Sequence, residues 1–163
     1  MSTHRRSLPS SQKGMVLVVS LIFLLLLTLL GVSAMQNATL QEKMAGSVMV
    51  RNQSFQLAEA ALRMGESAIQ VPGFVLARCA NATCAPPADS IGFPAAGGGA
   101  SGVIWVQAGA NAVYALQNIG TTQTPISRPP TCSANSTVTL YRVTASARQG
   151  TSTTVLESIY ANC

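Results

Sequence analysis

The sequence predicts an α+β chain in which one long N-terminal helix, half of it membrane-spanning and half amphipathic, packs on a small antiparallel β-sheet head. Three observations predict it. No charged residue occurs between Lys13 and Glu42, helical periodicity continues beyond that apolar run to Val71-Pro72-Gly73, and β-branched patches with four cysteines follow. At 163 residues, 48% hydrophobic and only 9% charged, the chain holds one modest domain plus an anchor. It carries too little charge for an ordinary cytosolic surface.

The formal charge of +5 raises the question of nucleic-acid binding, but Arg5, Arg6 and Lys13 all precede the apolar run. The remaining basic residues are scattered, without the clustered stripe and interleaved aromatics that phosphate and base contacts require. No nucleic-acid partner is expected.

Residues 15–34 form a core of 20 residues without a charge. At ~1.5 Å rise per residue such a helix spans the ~30 Å hydrocarbon layer. Helix is the state expected there, because every peptide group in lipid must be satisfied internally. The basic residues ahead of it place the N-terminus on the cytoplasmic side and export the rest. A cleaved secretory signal has a shorter core and a small-residue site after it, of which Ala34-Met35 is a poor version. Arg5-Arg6 reads as topology charge rather than a twin-arginine signal.

Beyond the membrane half, Leu40, Met44, Val48, Phe55, Leu62 and Ile69 share about a quarter of the helical circumference. Glu42, Lys43, Asn52 and Arg63 lie on other faces, while Arg51 interrupts the stripe with its head turned outward. Pro72 and Gly73 end the helix. Gly31 and Gly46 are expected bending points, each weakening helix by ~1 kcal/mol relative to Ala. The segment is too rich in Ala and Gln for a coiled-coil stalk, so its stripe is expected to face the head.

In the head, residues 72–102 are rich in Pro, Gly and Ala and read as irregular loop. The glycines at 97–99 lack the lysine and the strand–loop–helix setting of a phosphate site. Four strand-like patches follow, at 103–106, 112–116, 136–145 and 153–160. They form an antiparallel meander with its apolar face on the helix, and Trp105 and Tyr114 fill the core.

Cys79, Cys84, Cys132 and Cys163 are an even set downstream of the apolar run. The only histidine, His4, lies ahead of that run, and no second cysteine pair matches the Cys79–Cys84 spacing. Disulfides in an oxidising compartment are therefore expected rather than a metal site. In a hairpin the start of the first strand lies beside the end of the second, which pairs Cys132 with Cys163 and leaves Cys79 with Cys84.

No catalytic constellation emerges and no cofactor is expected. Downstream of residue 14 there is no histidine, one aspartate (Asp89) and four glutamates, little material for acid–base or nucleophilic chemistry. Glu59 and Glu66, seven apart on one helical face, read as solvated charges. Asn81-Ala-Thr and Asn135-Ser-Thr match glycosylation acceptors, a pattern common by chance.

Lys13-Gly14-Met15 directly before this helix resembles the leader junction of type IV pilin precursors. Helix, extension and β head together are similar to type IV pilins and pseudopilins, above all PilX-like minor pilins. The matching stretches are 29–35, 58–63 with Gly65-Glu66, 141–147 and 156–160. The resemblance implies a leader at 1–14, an assembly helix at 15–38, its extension at 39–71 and a disulfide-stapled head at 72–163. It further implies that a prepilin peptidase cuts between Gly14 and Met15 and that Met15 is N-methylated. Most pilins carry glutamate five residues into the mature chain, and here that position is Val19. Such a subunit offers no carboxylate to the amine of a subunit above it, as suits a tip or initiation role. The implied partners are other minor pilins, the major pilin, a tip adhesin and the inner membrane, with the head periplasmic before assembly and in the pilus after it. A pseudopilin of a type II secretion system and a membrane-anchored periplasmic binding domain are the alternative readings.

Overall fold

A computed structural model describes residues 13–163. Residues 1–12, with His4, Arg5 and Arg6 and most of the expected leader, lie outside the described residues. The chain divides into two compact units, Met1–Gly46 and Ser47–Cys163.

Helix α1, Lys13–Ile69, contains no proline and runs through Gly31 and Gly46 without interruption. Its end is chemical. The Gln70 amide donates to the Ser67 carbonyl, Pro72 has no amide to extend the ladder, and Gly73 takes φ of 83°.

The head is a five-stranded antiparallel meander in the order β1-β2-β3-β4-β5. The strands are β1 Gly97–Gly98, β2 Ile104–Gln107, β3 Ala112–Thr122, β4 Val138–Gln149 and β5 Ser152–Asn162. The α+β architecture expected from the sequence is therefore present. Its details differ in three places. The glycine run supplies a short edge strand. β3 continues six residues past Leu116, through polar Gln117 and Asn118 and a register shift between Asn118 and Gly120. There Gly120 takes φ of 121° and its amide donates to the Asn118 side chain, a bulge that alternation does not reveal. Finally, residues 72–102 are ordered rather than plain loop, with short 3-10 helices at Asn81–Cys84 and Ala88–Gly92.

Within the second unit this segment makes a third layer. One sheet face carries Tyr114, Tyr141, Val143 and Ala145 and packs on the helix; the other carries Val103, Trp105, Val113 and Ala115 and packs on Phe93. β3 and β4 are buried on both sides, which explains their weak apolar alternation. On the outer face the Ser146 hydroxyl donates to the Ser90 carbonyl and an Arg142 Nη1–H donates to the Cys84 carbonyl.

The helix face that meets the sheet corrects the expectation. Ser54, Ala58, Ala61, Gly65 and Ile69 are buried, while Val48 and Phe55 are 55% and 48% exposed. At 100° per residue the buried stripe is rotated by roughly 60° from the large-apolar one. Close approach is the reason. A β-carbon on Gly65 would lie 2.5 Å from Val143 Cγ1 and 3.0 Å from Tyr114 Cδ2, so small residues are what allow helix and sheet to touch. Ser54 adds hydroxyl contacts to Thr154 at 2.7 Å and Ser152 at 3.2 Å. Glu59 pairs with Arg63 on the surface, whereas Glu66 accepts a hydrogen bond from Ser158 at 2.7 Å. Glu66 therefore ties helix to sheet rather than standing in solvent.

Candidate functional site

The first unit presents one continuous apolar surface. From Met15 to Met35 every large hydrophobic side chain is 52–73% exposed. Nothing among the described residues covers them, and the helix is long and apolar enough to cross a membrane. Three of its hydroxyls make no demand on that environment. Ser20, Thr28 and Thr39 each donate to the carbonyl three residues back, at 2.9, 2.8 and 2.9 Å, so their hydrogen-bonding protons stay inside the helix.

Gly14 and Met15 stand in the first turn of α1, and beyond the adjoining helix backbone nothing among the described residues lies within 4 Å of the β-carbon a Gly14 substitution would add. Val19, one turn on from Met15, is 57% exposed in the same apolar surface. No carboxylate occurs before Glu42 to balance an amine there.

The cysteines occupy the second unit as two disulfides. Cys79 joins Cys84 with α-carbons 5.1 Å apart, and Cys132 joins Cys163 at 5.8 Å. No cysteine is free. The smaller bridge closes the 3-10 turn at 81–84, and side chains of the sheet hold that turn in place. Gln117 Nε2 donates to the Thr83 and Ala85 carbonyls, and Arg142 donates to the Cys84 carbonyl at 2.6 Å. Arg142 Nε also lies 3.0 Å from Glu157 Oε1, an ion pair whose N–H is not aimed along the contact. This network leaves no signal in the sequence, because its members lie up to 58 residues apart and its acceptors are mostly backbone.

Asp89 shows the same dependence on the fold. It accepts from Ser101 Oγ at 2.8 Å and from Trp105 Nε1 at 3.2 Å. Burial pushes the carboxyl pKa up, but the side-chain hydrogen bonds from Ser101 and Trp105, together with backbone amides of Ser101 and Asp89, outweigh it and leave the pKa below the ordinary carboxylate value. Gly99 makes room, since a β-carbon there would meet Asp89 Oδ2 at 2.4 Å and Trp105 Nε1 at 2.6 Å. A group with a lowered folded pKa stabilises above its unfolded pKa of about 3.9 and loses that contribution as pH falls through the folded value. Asp89→Ala is expected to cost ~1–3 kcal/mol near neutral pH, because the indole N–H is left buried without an acceptor. Thermal melts read through the single tryptophan check this: the difference between wild type and variant should hold above about pH 4 and shrink below it.

Among known proteins, residues 13–63 match the family described as PilX N-terminal. Neither the curated proteins nor the solved structures contain a match to the chain.

Proposed function

We propose, on the match of residues 13–63 to the PilX N-terminal family, that the chain is a PilX-like minor pilin of the type IV pilin family that takes part in initiating pilus assembly, at the filament tip with other minor pilins and a tip adhesin. In this reading it is a structural subunit rather than an enzyme. A prepilin peptidase removes residues 1–14 and methylates Met15. The helix waits in the inner membrane with the head in the periplasm, and then transfers from lipid into the bundle of neighbouring subunits and the major pilin.

Val19 is the observation that carries the tip assignment. An amine drawn into an apolar bundle is costly unless a carboxylate meets it. A subunit with valine at this position, and no acid before Glu42, has no such partner to offer to a subunit stacked over it. At the end of the filament none is needed.

Gly14→Phe tests the reading. Phenylalanine puts a large ring where glycine lets extended backbone enter a narrow protease cleft. Intact-mass measurement should find the leader retained, and electron microscopy should find most surface pili lost. Wild-type pilus numbers alongside a retained leader would refute the assembly role.

A further inference from the structure

We propose that the loop joining β3 to β4, residues 123–137, is a second protein-contact site, in which Ile126 and Arg128 together receive a partner surface bearing an apolar pocket with a carboxylate at its rim. Ile126 is 109% exposed, more than any other large hydrophobic residue described. Burying an isoleucine fully is worth roughly 1.5–3 kcal/mol, and this one contributes nothing to the fold.

An exposed side chain alone means little on a protein surface. Here the backbone beneath it is held in place. Arg128 Nη1 donates to the Ser133 carbonyl at 3.0 Å, the Ser136 carbonyl at 2.8 Å and the Ser136 hydroxyl at 3.1 Å. Its Nη2 donates to the Gln123 carbonyl at 2.7 Å. One guanidinium thus draws both flanks of the loop together around Ile126. The Cys132–Cys163 bridge fixes the same loop to the end of β5, and Pro125, Pro129 and Pro130 restrict its backbone further. Such preorganisation removes much of the ordering cost of binding.

Charge identifies the partner. All four acceptors of Arg128 are neutral, and Arg128 makes no salt bridge among the described residues. No Asp or Glu occurs between Asp89 and Glu157. Nε donates to no acceptor among the described residues, and none of the acceptors of Nη1 and Nη2 is charged. A guanidinium N–H left without an acceptor donates readily to a carboxylate as a charge-assisted hydrogen bond. A half-buried cation without an ion-pair partner, two residues from a fully presented isoleucine, fits an acidic-rimmed apolar pocket on another protein.

The test is site-specific photocrosslinking in cells expressing the full chain, with a benzophenone amino acid replacing Thr124, and replacing Val75 as an exposed reference outside the loop. The expected result is a product at position 124, absent at 75, whose partner peptide is protein and carries Asp or Glu. Its yield should fall roughly tenfold with Ile126→Ser and severalfold with Arg128→Gln. Ile126→Ser should leave the thermal midpoint read through Trp105 unchanged, which separates lost contact from lost fold. A yield indifferent to Ile126→Ser, a product on lipid or glycan, or a partner peptide without a carboxylate overturns the proposal. Pilus counts in the same cells report on the assembly role separately.

Discussion

Replacing Gly65 with leucine is expected to unfold the head or expel the helix from it, the largest single-residue effect in the molecule. The β-carbon alone would stand 2.5 Å from Val143 Cγ1 and 3.0 Å from the Tyr114 ring. Neither neighbour can give way easily. Val143 is fully buried and stiff about its only side-chain torsion, and Tyr114 is 8% exposed in the cluster with Ala58 and Ala61. Overpacking by one methyl group costs typically ~1–3 kcal/mol, against up to ~1 kcal/mol gained from helix propensity. Gly65→Ala should therefore be net destabilising by ~1–2 kcal/mol, and leucine, with three more carbons and no cavity to hold them, by ~4 kcal/mol or more. Gly46→Ala supplies the contrast: its β-carbon meets nothing within 4 Å, so the propensity gain stands and the variant should be as stable as wild type or slightly more so. Thermal unfolding of the full chain in detergent micelles, followed through Trp105, checks all three. An unchanged midpoint for Gly65→Leu would show that the helix does not sit on β3 and β4 as described.

The same residue shows what was legible in the sequence. An uncharged apolar run of this length marks a helix able to cross a membrane, and the Pro72-Gly73 stop follows from backbone chemistry. The strands around Tyr114, Tyr141 and Leu156 announce themselves through β-branched and aromatic residues. The helix face was misplaced because periodicity weighs side chains by hydrophobicity, whereas this interface selects for smallness. Ser54, Ala58, Ala61 and Gly65 carry almost no apolar signal, yet they line the contact, joined from the expected stripe only by Leu62 and Ile69 at its end. Phe55 and Val48 carry a strong one, and they are exposed. The ordered segment over the outer sheet face escaped for a related reason. Its hold on the sheet comes from Arg142, Gln117 and Ser146 donating to backbone carbonyls, and carbonyls have no sequence signature. As for the proposed site, Gly14, Met15 and Val19 lie in one short stretch, where a sequence pattern can suggest them, while the Arg128 brace depends on how a loop closes.

Removing the Cys132–Cys163 bridge, by Cys132→Ser with Cys163→Ser, should cost about 3–4 kcal/mol, and removing Cys79–Cys84 about 2 kcal/mol, on the chain-entropy account. The ordering follows from loop length, since the bridges span 31 and 5 residues. The structure adds a reason for the two losses to differ in kind as well as size. The larger bridge joins the approach to β4 to the end of β5. Without it the last residues of an edge strand are held by the ladder to β4 and by the Asn162 side chain donating to the Ile69 carbonyl at 3.1 Å. Because Ile69 is also the last buried residue of the helix stripe, loosening that end frees helix and sheet together, and the whole head should melt at lower temperature. The smaller bridge closes a turn whose carbonyls are already held by Gln117 and Arg142. Its loss should act locally, raising amide exchange over residues 79–86 with a smaller fall in midpoint. Differential scanning in micelles and hydrogen exchange on the two double variants separate these outcomes. If the Cys79–Cys84 variant lowers the midpoint more than the Cys132–Cys163 variant does, the outer segment rather than the β4–β5 hairpin is the keystone of the head.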